Sequence, residues 1–167
     1  MLLDTFYPDC EADSAYNLPY EKLYELGYRG ILFDIDNTLV PHGAPATKKA
    51  VALFDRLHSI GFETVLISNN KEPRVKPFAD AVNSAYLYKA NKPSKKGYEK
   101  AMRIMRTKPG TTIFVGDQLF TDVWGAKRTG IFSYLTKPIH PKEEIQIVLK
   151  RKLEAIVLFF YHRKFRH

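Results

Sequence analysis

The sequence predicts an α/β fold on a mostly parallel sheet, and three observations predict it. Short β-rich apolar runs alternate with helix-length amphipathic stretches, glycines stand where helices end, and polar residues gather directly after the apolar runs. Sheets of this kind carry helices on both faces and place ligands beyond the carboxyl ends of their strands.

In chain order, Gly30 to Phe33, Thr64 to Ile67, Ala85 to Tyr88, Thr112 to Val115 and Ile131 to Tyr134 read as buried strands. Between them, Thr47 to Ser59, Arg74 to Val82, Ser94 to Arg106 and Thr121 to Arg128 read as helices, with Gly61, Gly110 and Gly130 at helix ends or turns. Two ends fall outside this rhythm. Residues 1–28, with Pro8, Pro19 and five tyrosines, predict an ordered arm leading into a short helix, and residues 142–167 predict a basic amphipathic helix. With no repeat and no low-complexity linker, the expectation is one domain, its catalytic core spanning 29–141.

At 167 residues the chain suffices for one substantial core, and its 45% hydrophobic and 26% charged residues are ordinary for a globular protein. The lone Cys10 excludes an intrachain disulfide and, with no histidine near it in the sequence, reads as a bystander thiol in a reducing compartment. No secretory signal is visible, and the longest apolar run, Ala155 to Tyr161, is far below the ~20 residues that span a bilayer. These features predict a cytoplasmic protein. The net charge of +8 favours anionic partners: phosphorylated metabolites, acidic lipid surfaces or nucleic acid.

The first strand runs into Asp34-Ile35-Asp36-Asn37-Thr38. Such residues favour turns, but alternate positions of an extended segment point the same way, which brings two carboxylates together at the strand tip. Adjacent anions repel unless a cation neutralises them or one holds a proton. That pairing suits phosphoryl transfer, with one carboxylate attacking phosphorus and the other moving protons. After the fourth strand come Gly116, which permits a sharp exit, Asp117 at the strand tip, and Asp122, which reads equally as a helix-cap acid. Oxygen ligands from two strand tips suit Mg²⁺. Ser68-Asn69-Asn70 follow the second strand as donors for phosphate oxygens, and the loop after the third carries Lys92, able to offset phosphoryl charge. The histidines, His42, His58, His140, His162 and His167, lack metal-ligand spacing. His42 either lines the site or belongs to a loop, and Trp124 reads as core.

These four segments resemble the four motifs of the haloacid dehalogenase superfamily, over roughly residues 28–136. The resemblance implies a Rossmann-like five-stranded sheet of order 5-4-1-2-3. It implies Asp34 as nucleophile, Asp36 as general acid/base, Ser68 on the phosphate and Lys92 as its cation, with Asn69 read beside Ser68 as a further donor to the phosphate. It further implies Mg²⁺ held by the Asp34 carboxylate, the Asp36 main-chain carbonyl and Asp117, with Asp122 supporting them. Asp36 also distinguishes the family's phosphatases from its ion-pumping ATPases, which carry threonine there.

Only ten residues, Leu39 to Lys48, separate the first motif from the next helix, and Ser68 to Lys92 holds one helix and one strand. Neither gap has room for a cap domain, so the chain resembles the capless branch, which tends to act on macromolecular or membrane-borne phosphate. The arm, the Asp-Asn-Thr-Leu-Val-Pro wording and the length are similar to the YqeG-type subfamily IIIA, implying a lipid phosphate such as phosphatidylglycerophosphate. From Lys142 to His167 the tail carries seven Lys/Arg against Glu143, Glu144 and Glu154. Ile145, Val148, Leu149, Leu153, Ile156, Val157 and Phe160 are spaced for one helical face. That face either packs on the sheet or lies on anionic lipid, with Phe159, Phe160, Tyr161 and Phe165 at the headgroups. A combined reading has packing to about Leu153 and membrane contact beyond, on the inner face of the membrane. Two alternatives stand beside a lipid phosphatase: a phosphatase of soluble nucleotides, sugar phosphates or polynucleotide ends, and a non-catalytic binding module on the same fold. Nucleic acid is the less favoured partner.

Overall fold

A computed structural model describes residues 2–140 and 145–165, with the side chains of 145–147 excepted. Among the described residues, six strands form one all-parallel sheet in the order β1-β6-β5-β2-β3-β4. They are β1 (Cys10–Ala12), β2 (Gly30–Phe33), β3 (Glu63–Ile67), β4 (Ala85–Leu87), β5 (Thr112–Gly116) and β6 (Phe132–Thr136). The helices are α1 (Tyr20–Glu25), α2 (Lys48–Ile60), α3 (Glu72–Val82), α4 (Lys95–Met105), α5 (Trp124–Arg128) and α6 (Ile145–Phe165).

The five predicted strands keep the predicted order, β6-β5-β2-β3-β4. The count is corrected to six because the N-terminal arm, after a 3₁₀ segment at Leu2–Phe6, adds β1 beside β6. Three residues with half-exposed side chains give too little alternation to signal a strand. Asp9 fixes the arm: its carboxylate accepts the Ser133 amide at 2.8 Å and the Ser133 hydroxyl at 2.9 Å.

Alternation along the strands divides the core between the two faces. Ile31, Phe33, Leu66, Ile113 and Val115 pack with Phe54, Leu57 and Phe78 of α2 and α3. Leu32, Val65, Ile67 and Phe114 pack on the other face with Tyr98, Met102 and Met105 of α4 and Ala126 of α5. Helix α2 forms because Ala50, Leu53, Phe54 and Leu57 recur on one face and Thr47 caps its start, its hydroxyl accepting the Ala50 amide. Gly61, at φ 118°, ends it in the left-handed region where a glycine has no Cβ to clash.

Boundaries shift by one or two residues from the predicted ones, except before α5. There the helix predicted from Thr121 begins as a π-helical turn, Leu119–Val123. No inserted domain occupies residues 34–47 or 68–94, and no described helix is long and apolar enough to cross a membrane.

The tail requires the largest correction. Its predicted start at Lys142, with Glu143, Glu144, Arg166 and His167, lies outside the described residues. Within α6, among the described side chains of the face predicted to pack, only Val157 is buried; Val148, Leu149, Leu153, Ile156 and Phe160 turn outward, and the Ile145 side chain lies outside the described ones. The inner face is instead Arg151, Glu154, Val157, Leu158 and Tyr161. Val157, Leu158 and Tyr161 join Tyr7, Leu119, Val123 and Leu135 in an apolar cluster. Tyr161 stacks edge-on against Tyr7 at 5.2 Å rather than facing outward with Phe159 and Phe160. Pattern alone left the apolar face either packed or turned outward, whereas ion pairing through Arg151 and Glu154 sets the rotation of the helix.

Candidate active site

The carboxyl ends of β2 and β5 lie level, since the Asp34 amide donates to the Val115 carbonyl at 3.0 Å. Asp34 and Asp117 therefore leave neighbouring strands side by side. The Thr38 hydroxyl lies 3.3 Å from Asp34 Oδ2 and 3.0 Å from Asp117 Oδ1. Asn37, in the left-handed conformation at φ 61°, forms the tight turn that returns Thr38 to this position. Asp122 comes back to the strand tip through the π-helical turn, where its Oδ2 accepts the Gln118 amide at 3.1 Å. This approach explains Gly116: a Cβ there would stand 2.6 Å from Asp122 Oδ2, so close packing, rather than a sharp chain exit, requires glycine.

Lys92 arrives from the loop after β4. Asn69 holds that loop reciprocally, accepting the Lys92 amide at 2.7 Å and donating to the Lys92 carbonyl at 3.2 Å. The Asn69 amide is thus engaged with the loop. Lys92 Nζ reaches Asp34 Oδ1 at 2.8 Å and Asp122 Oδ1 at 2.7 Å. Asp34, Asp36, Ser68, Asn69 and Lys92 all line one cavity of about 180 Å³, together with His42 and Gln118. Ser68 is buried there, its hydroxyl accepting the Asn70 amide at 3.0 Å.

Asp36 differs from the other acids. Its carboxylate accepts the Gly43 amide at 2.8 Å, the Asn70 side chain at 2.9 Å and the Arg74 guanidinium at 2.9 Å. Burial alone would raise its pKa, but the Gly43 amide and Arg74 outweigh it and hold the group below the usual carboxylate range. Burial pushes Asp34 up to about 7, with Lys92 pulling it down and Asp117 pushing it up. Asp122 rises to about 6 by burial and the Asp34 charge, against Lys92, and Asp117 rises by burial and by Asp122. Burial would lower Lys92, yet Asp122 and Asp34 hold it charged.

Among the described residues, Asp34, Asp117 and Asp122 form the cluster compact enough for a metal ion, with ligand atoms within 4.8 Å of one another. No histidine belongs to it. Three buried carboxylates face two cations, Lys92 and Arg151, and the residual negative charge in a low-dielectric site fits a hard divalent cation.

Arg74 and Arg151 were not singled out from sequence, since each arginine meets its carboxylate only through the fold. The one available signal for Arg74 was its position in the first turn after the Ser68 segment. Cys10, half-buried in β1, has its thiol raised by burial and by Asp9, against a catalytic role.

A family model described as haloacid dehalogenase-like hydrolase matches residues 43–130. The protein described as "Probable phosphatase YqeG" from Bacillus subtilis (strain 168) is 34% identical over 165 residues, covering 98% of this chain and 96% of its own. "Phosphatidylglycerophosphate phosphatase 1, chloroplastic/mitochondrial" from Arabidopsis thaliana is 27% identical over 88% of this chain, which spans 45% of that protein. Among solved structures, a predicted HAD-like family hydrolase from Porphyromonas gingivalis superposes with a TM-score of 0.55 at 12% identity. That match covers 76% of this chain and 98% of that one.

Proposed function

Because the chain belongs to the haloacid dehalogenase-like hydrolases, as a phosphatase of that family, we propose that it cleaves phosphomonoesters through an aspartyl-phosphate on Asp34, with Mg²⁺ as its cation. The observation that carries this reading is the convergence of Asp34, Ser68, Lys92 and Asp117 from four strand ends around buried carboxylates.

Asp34 attacks phosphorus, and the bond to the leaving oxygen breaks as that oxygen takes a proton from Asp36. Water then attacks the aspartyl-phosphate while the Asp36 carboxylate accepts its proton, releasing inorganic phosphate and restoring Asp34. With Gly43, Asn70 and Arg74 holding it ionised, Asp36 is ready for the second half. For the first half it takes up a proton from the monoester monoanion, and the proton it later gains from water leaves with the released phosphate. Lys92 neutralises charge at Asp34 and Ser68 offers a hydroxyl to the phosphoryl oxygens. Asp34, Asp117 and the Asp36 carbonyl would hold Mg²⁺, with Asp122 behind them; bound there, it supplies Lewis-acid neutralisation of phosphoryl charge.

The substrate we propose is a lipid phosphate such as phosphatidylglycerophosphate at an anionic surface. The support is the outer face of α6, where Leu149, Leu153, Ile156 and Phe160 follow one helical stripe, exposed, with Lys152 and Arg163 along its edge. The named activity of the Arabidopsis relative points the same way.

The test offers the purified full chain phosphatidylglycerophosphate in anionic vesicles, nucleotides, sugar phosphates and an aryl phosphate, each with Mg²⁺, and measures phosphate release. The expected result is the highest kcat/KM on vesicles. Preference for nucleotides or sugar phosphates restores the soluble-substrate alternative, and no release from any of them restores the binding module.

A further inference from the structure

The inner face of α6 does more than pack. Arg151 donates through Nη2 to Asp117 Oδ2 and through Nη1 to the Asp117 main-chain carbonyl. The same Nη1 lies 3.0 Å from Glu154 Oε2, and Glu154 Oε1 accepts the Leu119 amide at 2.9 Å. Two side chains one helical turn apart thus grip both ends of the short segment that follows β5. Asp117 divides its oxygens between two neighbours: Oδ1 meets Thr38 on the Asp34 side, and Oδ2 meets Arg151.

We propose that Arg151 is a positioning residue for Asp117, and that docking of α6 and cation binding by the Asp34–Asp117–Asp122 cluster favour each other. The proposal rests on the reading of Asp117 as a metal ligand. A carboxylate whose second oxygen takes one arm of a guanidinium, while the other arm holds the same residue's main-chain carbonyl, keeps one orientation, so less side-chain freedom is lost when its first oxygen takes a ligand. Partners of ligating carboxylates commonly act this way. The glutamate gives the arrangement its direction. Glu154 is 6% exposed, and a buried carboxylate needs its cation, so Arg151 stays in place only while α6 is seated. Linkage is reciprocal: what the helix contributes to the cation, the cation returns to the helix. The rival role, a counter-cation that the metal must displace, predicts the opposite sign.

The experiment measures Mg²⁺ affinity of the full chain by calorimetry and amide hydrogen exchange across α6 with and without Mg²⁺. Arg151→Met is expected to raise the Kd for Mg²⁺ by roughly tenfold or more, the size typical of a lost outer partner. Arg151→Lys should recover part of it. Val157→Ala loosens the buried apolar seat of α6 without touching the polar network, and should raise the Kd to a smaller degree. Together with Arg151→Lys it carries the test if Arg151→Met fails to fold. Mg²⁺ should slow exchange in wild-type α6 and leave Arg151→Met unaffected. Tighter binding in Arg151→Met, or faster exchange on adding Mg²⁺, would identify a competitor and overturn the proposal. An unchanged Kd in all three variants would also overturn it. Asp117→Asn separates the premise: Mg²⁺ binding that survives this change removes the metal reading of Asp117 itself.

Discussion

Lys92 Nζ lies 2.8 Å from Asp34 Oδ1, with Lys92 only 7% exposed, and the same ammonium holds Asp122 at 2.7 Å. One cation therefore serves two buried carboxylates. Deleting it leaves both uncompensated, a far larger cost than the pair's net contribution. Lys92→Met should destabilise the metal-free protein by about 3–5 kcal/mol and remove phosphatase activity. Denaturant unfolding checks the first expectation. A loss below 1 kcal/mol would mean that water reaches the site freely.

Asp34→Asn should behave in the opposite way toward stability. An amide neither attacks phosphorus nor adds a buried charge, so activity vanishes while the fold persists. The sign of the pH effect follows from the raised pKa. As pH rises from about 4, Asp34 ionises in the unfolded chain near its ordinary 3.8, but in the folded protein only near 7. Without metal, the wild type should therefore lose stability relative to Asp34→Asn as pH rises between those values. Parallel melting curves at a series of pH values read this directly; a constant gap between the two proteins contradicts it.

Arg74 provides a handle on Asp36. Its guanidinium and the Gly43 amide hold that carboxylate below the usual range. Arg74→Gln should move the Asp36 pKa upward, so the acid limb of the kcat profile shifts to higher pH. Asp36→Asn should slow turnover roughly 10²-fold or more, least for substrates with good leaving groups, which need little protonation. An unshifted limb in Arg74→Gln, or equal losses on aryl and alkyl phosphates in Asp36→Asn, would count against Asp36 as the acid/base.

The central strands and their tips were legible because buried parallel strands are continuous apolar runs, and the chemistry-bearing residues follow each run directly. Gly30 to Phe33 into Asp34, and Thr112 to Gly116 into Asp117, show both signals in one stretch. What periodicity could not supply were partners far apart in the chain. Asp36 meets Arg74 across 38 positions and Asp117 meets Arg151 across 34. Strand β1 is invisible for a related reason: its three residues become a strand only beside β6. The rotation of α6 was left open because an apolar stripe marks a face either to bury or to lay on lipid, while the inner face is set by Arg151 and Glu154, whose partners lie far away in the chain.

That rotation changes how membrane contact is best tested. Cutting the chain after Leu153 would remove Glu154 and Val157, which are buried, and Tyr161, which packs on Tyr7, so lost stability would mask any lost surface binding. Leu149, Ile156 and Phe160 are 62%, 55% and 40% exposed, and substitution of such positions usually shifts stability by no more than about 0.5 kcal/mol each. The combined Leu149→Glu, Ile156→Glu and Phe160→Glu variant should therefore melt close to the wild type and keep its rate on a soluble aryl phosphate. It should lose binding to anionic vesicles in sedimentation, because three carboxylates replace the apolar stripe that Lys152 and Arg163 edge. Neutralising those two basic residues instead, as Lys152→Gln with Arg163→Gln, should weaken vesicle binding by ~1 kcal/mol per residue. That loss should shrink as salt screens the surface. Vesicle binding untouched by the glutamates would leave the outer face of α6 without a membrane role.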